Sequence, residues 1–197
     1  MSEATVAATF LVVFREVLEA SLIVGIILTL LARLRARRYF SHVFASAFAA
    51  ILASMGAGFW MVTLTQSVQG QVEKIIEGVI SIAAAGVLTY MVFWMDKQGR
   101  RIKSEIETKV ETALSRNDYL AMITLPFFAV FREGAETVLF LKAISLQAGG
   151  AVSFWGGLWG FALAIAIVTF IFLGGEKIPL RTLFRSTGLL ILVIAAG

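Results

Sequence analysis

Apolar stretches of membrane-crossing length follow one another through this chain, and two of them carry charge in their middle. Arg15-Glu16-x-x-Glu19 lies inside the first stretch and Arg132-Glu133-x-x-Glu136 inside the fourth. Phenylalanine precedes both, so Phe14 to Glu19 and Phe131 to Glu136 are one hexapeptide pattern written twice. An ionised carboxylate near the middle of a bilayer costs roughly 3 to over 10 kcal/mol. A chain that places four there, each pair beside an arginine, is expected to use them on something that crosses the membrane.

The 197 residues are 59% hydrophobic with a mean hydropathy of +0.88, more apolar surface than a soluble domain of this length carries. The chain therefore reads as an integral membrane protein. Cysteine is absent, which excludes disulfides, thiolate metal sites and thiol redox chemistry together. The single histidine, His42, follows an arginine cluster at a span boundary and reads as an interfacial side chain. A metal site in this chain must be built from oxygen ligands, because zinc and other borderline metals recruit Cys or several His. The net charge of +4 does not point to nucleic acid, since the basic residues collect in short loops between apolar spans. No basic leader or small-residue cleavage pattern precedes the first span, which is read as retained.

The apolar segments fall at about 6–31, 42–64, 75–95, 120–146, 151–174 and 183–197. The first five are long enough to cross a hydrocarbon core of roughly 30 Å as helices. The sixth, about 21 Å of helix from Phe184 to Gly197, is too short to span, so a truncated chain is expected. The fold expected is all-α: a polytopic transmembrane helix bundle of about six spans, the last one incomplete. Arg33, Arg35, Arg37 and Arg38 lie in the first loop, and Lys97, Arg100, Arg101, Lys103, Lys109 and Arg116 in the third. Lys177, Arg181 and Arg185 lie in the fifth, whereas the even loops hold only Lys74. The positive-inside rule puts the odd loops in the cytoplasm and the N-terminus outside.

Ile102, Ile106, Val110 and Leu114 recur at i, i+4 spacing in the third loop, with charges between them. They predict a short amphipathic helix on the cytoplasmic face, and Ser115-Arg116-Asn117-Asp118 supplies capping residues for the next helix. The two tetrads stand three spans apart, so their helices run in opposite directions and both tetrads fall near mid-membrane. That is the pattern of an inverted 3+3 repeat with its site at the midplane. One transmembrane permease domain is expected, with repeat one at about 6–95, the connector at about 97–118 and an incomplete repeat two at about 120–197.

At 100° per residue, Arg15, Glu16 and Glu19 share an arc of about 100°, as do Arg132, Glu133 and Glu136. If the two faces meet, four carboxylates converge with two guanidinium groups beside them. Carboxylate oxygens are hard ligands, so the constellation suits a di- or trivalent cation. A guanidinium can pair with the carboxylates until the cation displaces it. The bland alternative is two intramembrane salt bridges that only hold helices together.

Phe-Arg-Glu-Val-Leu-Glu-Ala-Ser-Leu-Ile-Val-Gly (14–25) and Phe-Arg-Glu-Gly-Ala-Glu-Thr-Val-Leu-Phe-Leu (131–141) resemble the paired R-E-x-x-E motifs of the oxidase-dependent iron transporters, the high-affinity iron permeases. The similarity takes in Glu77-Gly78 and the segment from Ala83 to Met95, and covers nearly the whole chain. The resemblance implies iron uptake across the plasma (bacterial inner) membrane by a multi-pass permease. Glu16, Glu19, Glu133 and Glu136 would be its metal ligands, and Arg15 and Arg132 its charge-balancing groups. It also implies an extracytoplasmic iron oxidase or iron-binding partner. Iron enters as transported substrate, with no cofactor, no catalytic residue and no nucleic-acid partner expected; membrane lipid surrounds the protein. Family members usually have seven spans, and this chain departs from them at its end.

Ferric iron is the first choice of substrate because the ligand set is hard, with ferrous iron and another divalent metal as alternatives. From a different class, a carboxylate di-iron oxidase would want Glu-x-x-His on its helices, and no histidine lies on the tetrad faces. Glu73 and Glu77, one turn apart at the outer end of the third span, are a candidate external way-station or an ordinary acidic helix start. Lys142 reads as snorkelling to the outer interface, and Trp60, Trp94, Trp155 and Trp159 as interfacial anchors. Gly156 and Gly160 form a small-x-x-x-small face suited to close packing within the monomer.

The absence of native cysteine makes orientation directly measurable. Cysteines introduced at Arg37 and Lys103 should be shielded from an impermeant thiol reagent outside intact cells, and one at Gln69 should react. The opposite labelling pattern would invert the orientation.

Overall fold

The computed structural model describes residues 2–66, 70–98, 102–116, 118–149 and 152–174. Among these residues the structure is helical throughout, with no strand. The helices are α1 (Glu3–Arg33), α2 (Phe40–Gln66), α3 (Gln71–Gln98), α4 (Ile102–Ser115), α5 (Tyr119–Gln147) and α6 (Phe154–Gly174). The five long ones coincide with the five spans read from the sequence. The expected sixth span at 183–197 lies outside the described residues, as do Lys177, Arg181 and Arg185.

Local chemistry sets the helix ends. The Ser2 hydroxyl caps α1 by accepting from the Thr5 N–H at 3.3 Å, and the Asp118 carboxylate caps α5 by accepting from the Ala121 N–H at 3.0 Å. At the other end of α1, Arg35 takes a left-handed conformation (φ 55°). The Ala36 N–H then reaches back to the Leu31 carbonyl at 2.8 Å and the Arg35 N–H to the Ala32 carbonyl at 3.2 Å, which closes the helix as a Schellman motif. A 3-10 turn, Arg37–Tyr39, redirects the chain into α2.

By length and composition, Arg37–Leu64 and Phe154–Phe172 are apolar enough to cross a membrane. α1 and α5 are of spanning length too, with 31 and 29 residues, but their tetrads interrupt the apolar pattern. Phe44, Phe48, Met55 and Phe59 of α2, and Phe154, Phe161 and Phe170 of α6, stand exposed as lipid-facing side chains do. Trp60, Trp155 and Trp159 are exposed as well.

α1 and α5 pack antiparallel through two apolar clusters. Ile27, Leu30 and Leu31, late in α1, meet Met122, early in α5. Val12, early in α1, meets Phe140, late in α5, together with Ala84 and Leu88 of α3. The first cluster also takes in Tyr39, Val43, and Val110 and Ala113 of α4. The connector is thus an amphipathic helix, as its spacing predicts, with Ile106, Val110 and Leu114 turned onto the end of the bundle that carries the arginine loop.

Two companion helices flank this pair. A methyl built on Gly156 would sit 2.6 Å from the Val6 carbonyl oxygen, and one on Gly160 2.5 Å from that of Phe10, so α6 runs parallel to α1 at backbone contact. Phe14, Leu18 and Leu22 continue that seam against Ala164 and Val168. α2 lies parallel to α5 in the same manner, with Ser54 against Phe131 and Gly134, and Gly58 against Val138. The stripe Ser46, Ala50, Ser54, Gly58 keeps α2 thin enough for this approach. Lipid is as apolar as the side chains, so such close packing is what holds helices together in a bilayer.

The positive φ at Arg35 yields a stability prediction. Arg35→Gly removes a strained Cβ at this cap and should preserve or raise the melting temperature in detergent. Arg35→Val, β-branched in a left-handed position, should lower stability by about 1–2 kcal/mol.

Candidate metal centre between α1 and α5

The tetrads occupy the middle of the α1–α5 seam, between its two apolar clusters. Helical spacing places Arg15, Glu16 and Glu19 on one face of α1 and the second set on one face of α5, and antiparallel packing turns the faces toward each other. One carboxylate oxygen from each of Glu16, Glu19 and Glu133 lies within 4.8 Å of the other two. Among the described residues this is the only group of acidic or histidine side chains close enough to share an ion.

The two tetrads use the same internal pairing. Arg15 Nε donates to Glu19 Oε1 at 3.1 Å, and its Nη1 lies 3.7 Å from Glu16 Oε1. Arg132 Nε donates to Glu136 Oε1 at 2.9 Å and lies 3.7 Å from Glu133 Oε1. In each case the i, i+4 glutamate takes the close hydrogen bond, and the adjacent glutamate is held only by longer-range attraction. Glu136 stays with its arginine and falls outside the three-carboxylate group.

Burial distinguishes the halves. The Arg15 side chain is 1% exposed and that of Arg132 is 41% exposed. Glu16, Glu19 and Glu133 are all buried. Both oxygens of Glu16, Oε2 of Glu133 and Oε2 of Glu136 are buried without a hydrogen-bond partner, as is Nη1 of Arg15. Unsatisfied carboxylate oxygens inside a protein are costly and rare. Those of Glu16 and Glu133 belong to the converging group, where a hard cation would satisfy them together. The donor set contains only oxygen, in keeping with calcium-like or iron-like preferences rather than thiophilic ones.

The remaining sequence candidates lie elsewhere. Glu73 and Glu77 are half-buried on the first turns of α3 and belong to no metal-holding group among the described residues. Their positions fit an acidic helix start, with the Ser81 hydroxyl donating to the Glu77 carbonyl at 2.9 Å. His42 lies at the arginine-rich end, with its ring tilted against Tyr39 and Tyr119. Gly156 and Gly160 pack within the monomer, against α1. Ser54 escapes sequence inspection, yet its hydroxyl donates to the Ala50 carbonyl at 2.9 Å and lies 3.4 Å from the Phe131 carbonyl, directly before the second tetrad. The available signal was the run of small residues at every fourth position of α2.

Comparison with known proteins gives the family. Residues 6–197 match the Iron permease FTR1 family. The ferrous iron permease EfeU of Escherichia coli O6:H1 is 35% identical over 190 residues, covering 95% of this chain and 69% of that protein. Its namesake from Yersinia pestis is 36% identical over 190 residues, covering 95% of this chain and 67% of the relative. No solved structure matches. The chain belongs to the FTR1 iron permease family and is a multi-pass membrane protein of iron transport.

Proposed function

We propose that this protein carries iron inward across the plasma membrane through the carboxylate group in the α1–α5 seam. Glu16, Glu19 and Glu133 supply the converging oxygens, and Glu136 joins them when its pairing with Arg132 loosens. Arg15 and Arg132 balance the charge of the unloaded site and yield to the incoming cation. The convergence of Glu16, Glu19 and Glu133 within 4.8 Å carries this reading, because two intrahelical salt bridges do not by themselves call for three buried carboxylates from two helices to meet. The parallel pairs α1–α6 and α5–α2 each join one helix of repeat one (about 6–95) to one of repeat two (about 120–197), as an inverted repeat would exchange them, with the arginine-rich end in the cytoplasm.

The transported form is Fe3+, produced outside by an oxidase or handed over by an iron-binding partner, since a crowded set of hard anionic ligands favours the more highly charged ion. A second reading, Fe2+, draws on the names of the relatives, which are called ferrous iron permeases. Uptake of radiolabelled iron into proteoliposomes, under reducing and oxidising conditions, separates the two.

In that assay Glu16→Gln and Glu133→Gln, which keep shape but remove an ionic oxygen ligand, should each raise the half-saturating iron concentration by about tenfold or more. Arg15→Lys keeps the charge but loses the planar fork between Glu16 and Glu19, and should impair uptake at unchanged membrane levels. Undiminished uptake by all three variants would reduce the tetrads to structural salt bridges.

The unequal burial of the arginines gives a further test. Arg15→Met strands two buried carboxylates and should destabilise the protein by about 3–5 kcal/mol in thermal or denaturant unfolding. Arg132→Met acts on a partly exposed side chain and should cost less. Equal losses would contradict the asymmetry of the two halves.

A further inference from the structure

We propose that Ser54 of α2 and Gly134 of α5 form a steric seat that fixes how far the second tetrad projects toward the first, making Ser54 a positioning residue for the metal centre. The inference rests on the carboxylate reading above and deepens it. Gly134 stands inside the tetrad, between Glu133 and Glu136, where the first tetrad has Val17. A methyl at Gly134 would collide with the Ser54 hydroxyl and lie 2.6 Å from the Ser54 Cβ, closer than real Cβ contacts come. Ser54 is 4% exposed and cannot swing out to solvent.

The direction of the contact gives it consequence. At 100° per residue, Gly134 and Val138 lie on the side of α5 roughly opposite Glu133 and Glu136. Ser54 and Gly58 therefore support α5 from behind, while the carboxylates face α1. The support is by shape, since the Ser54 hydroxyl makes its shorter hydrogen bond, 2.9 Å, within its own helix to Ala50. Bulk added at this contact drives α5 off α2 and toward α1, which changes the spacing of Glu133 from Glu16 and Glu19. Alanine is a better helix former than glycine, so local propensity alone predicts that Gly134→Ala is harmless or stabilising. Any loss must come from the seat.

The test is iron uptake by the full chain in proteoliposomes, read as half-saturating concentration and maximal rate, with protein level and melting temperature recorded for each variant. Gly134→Ala should raise the half-saturating concentration by about tenfold, the scale of effects on groups that orient metal ligands. Gly134→Ala combined with Ser54→Gly should return it to within about twofold of the native value, because the second change vacates the colliding volume. Ser54→Thr, which adds bulk from the α2 side against native Gly134, should shift it in the same direction as Gly134→Ala. If Gly134→Ala does not insert, Ser54→Thr and the double variant carry the test. An unchanged half-saturating concentration in Gly134→Ala, or in Ser54→Thr where that carries the test, would overturn the seat, as would a double variant no better than Gly134→Ala. Glu133→Gln run alongside separates the two levels of inference. If it keeps native iron affinity the carboxylate reading fails, and if it alone loses affinity only the seat fails.

Discussion

The ion pairing inside each tetrad is the constraint around which the rest of the bundle is arranged. Carboxylates in a bilayer interior need compensation, and the nearest sources are Arg15 and Arg132 on their own helices. One guanidinium per pair of glutamates compensates only half their formal charge. The deficit can be met by protonation, by a bound cation, or by both in turn. Antiparallel packing of α1 against α5 concentrates that deficit in one place instead of dispersing it over two helices. On the proposed reading, an electrostatic cost borne separately by two spans becomes affinity for a positive ion.

Holding two charged helices face to face in lipid requires grip elsewhere, and the companion helices supply it. α6 presses Gly156 and Gly160 onto the backbone of α1, and α2 presses Ser54 and Gly58 onto α5. Small side chains allow the backbones to approach, and dispersion contacts accumulate over the length of the seam. The two grips differ in detail. On the α1 side the missing side chains belong to the companion helix, whereas on the α5 side one of them, Gly134, belongs to the tetrad itself.

Much of this arrangement was legible in the sequence. Charges stand out against apolar spans, so Arg15, Glu16, Glu19 and their counterparts identified themselves, and the odd offset of three spans between the tetrads gave the antiparallel relation. Asp118 as a helix cap and the i, i+4 apolar face of α4 were equally plain, because local hydrogen bonding and periodicity depend on near neighbours. The unequal fates of the glutamates were not legible. Identical spacing in the two tetrads suggested four equivalent ligands, but exposure and convergence are set by packing partners far along the chain, and Glu136 remains with Arg132 outside the close group. Ser54 was hidden for a related reason. A serine in an apolar span is common, and only the approach of α5 reveals what it touches.

The two apolar clusters at either end of the seam have an energetic consequence for the cell. Val12, Phe140 and Leu88 close one side of the carboxylates, and Ile27, Leu31 and Met122 close the other, with α4 laid across that end. Apolar side chains thus stand between the tetrads and each end of the seam, while Arg132 keeps part of its surface open at the side. On the proposed transport reading, such plugs would restrict proton leakage along the seam while the clusters stay packed. An ion taking the proposed route would need the helices to part at one end and close again before the other yields, and such a cycle would be slow. The electrical integrity of the membrane is what that slowness protects.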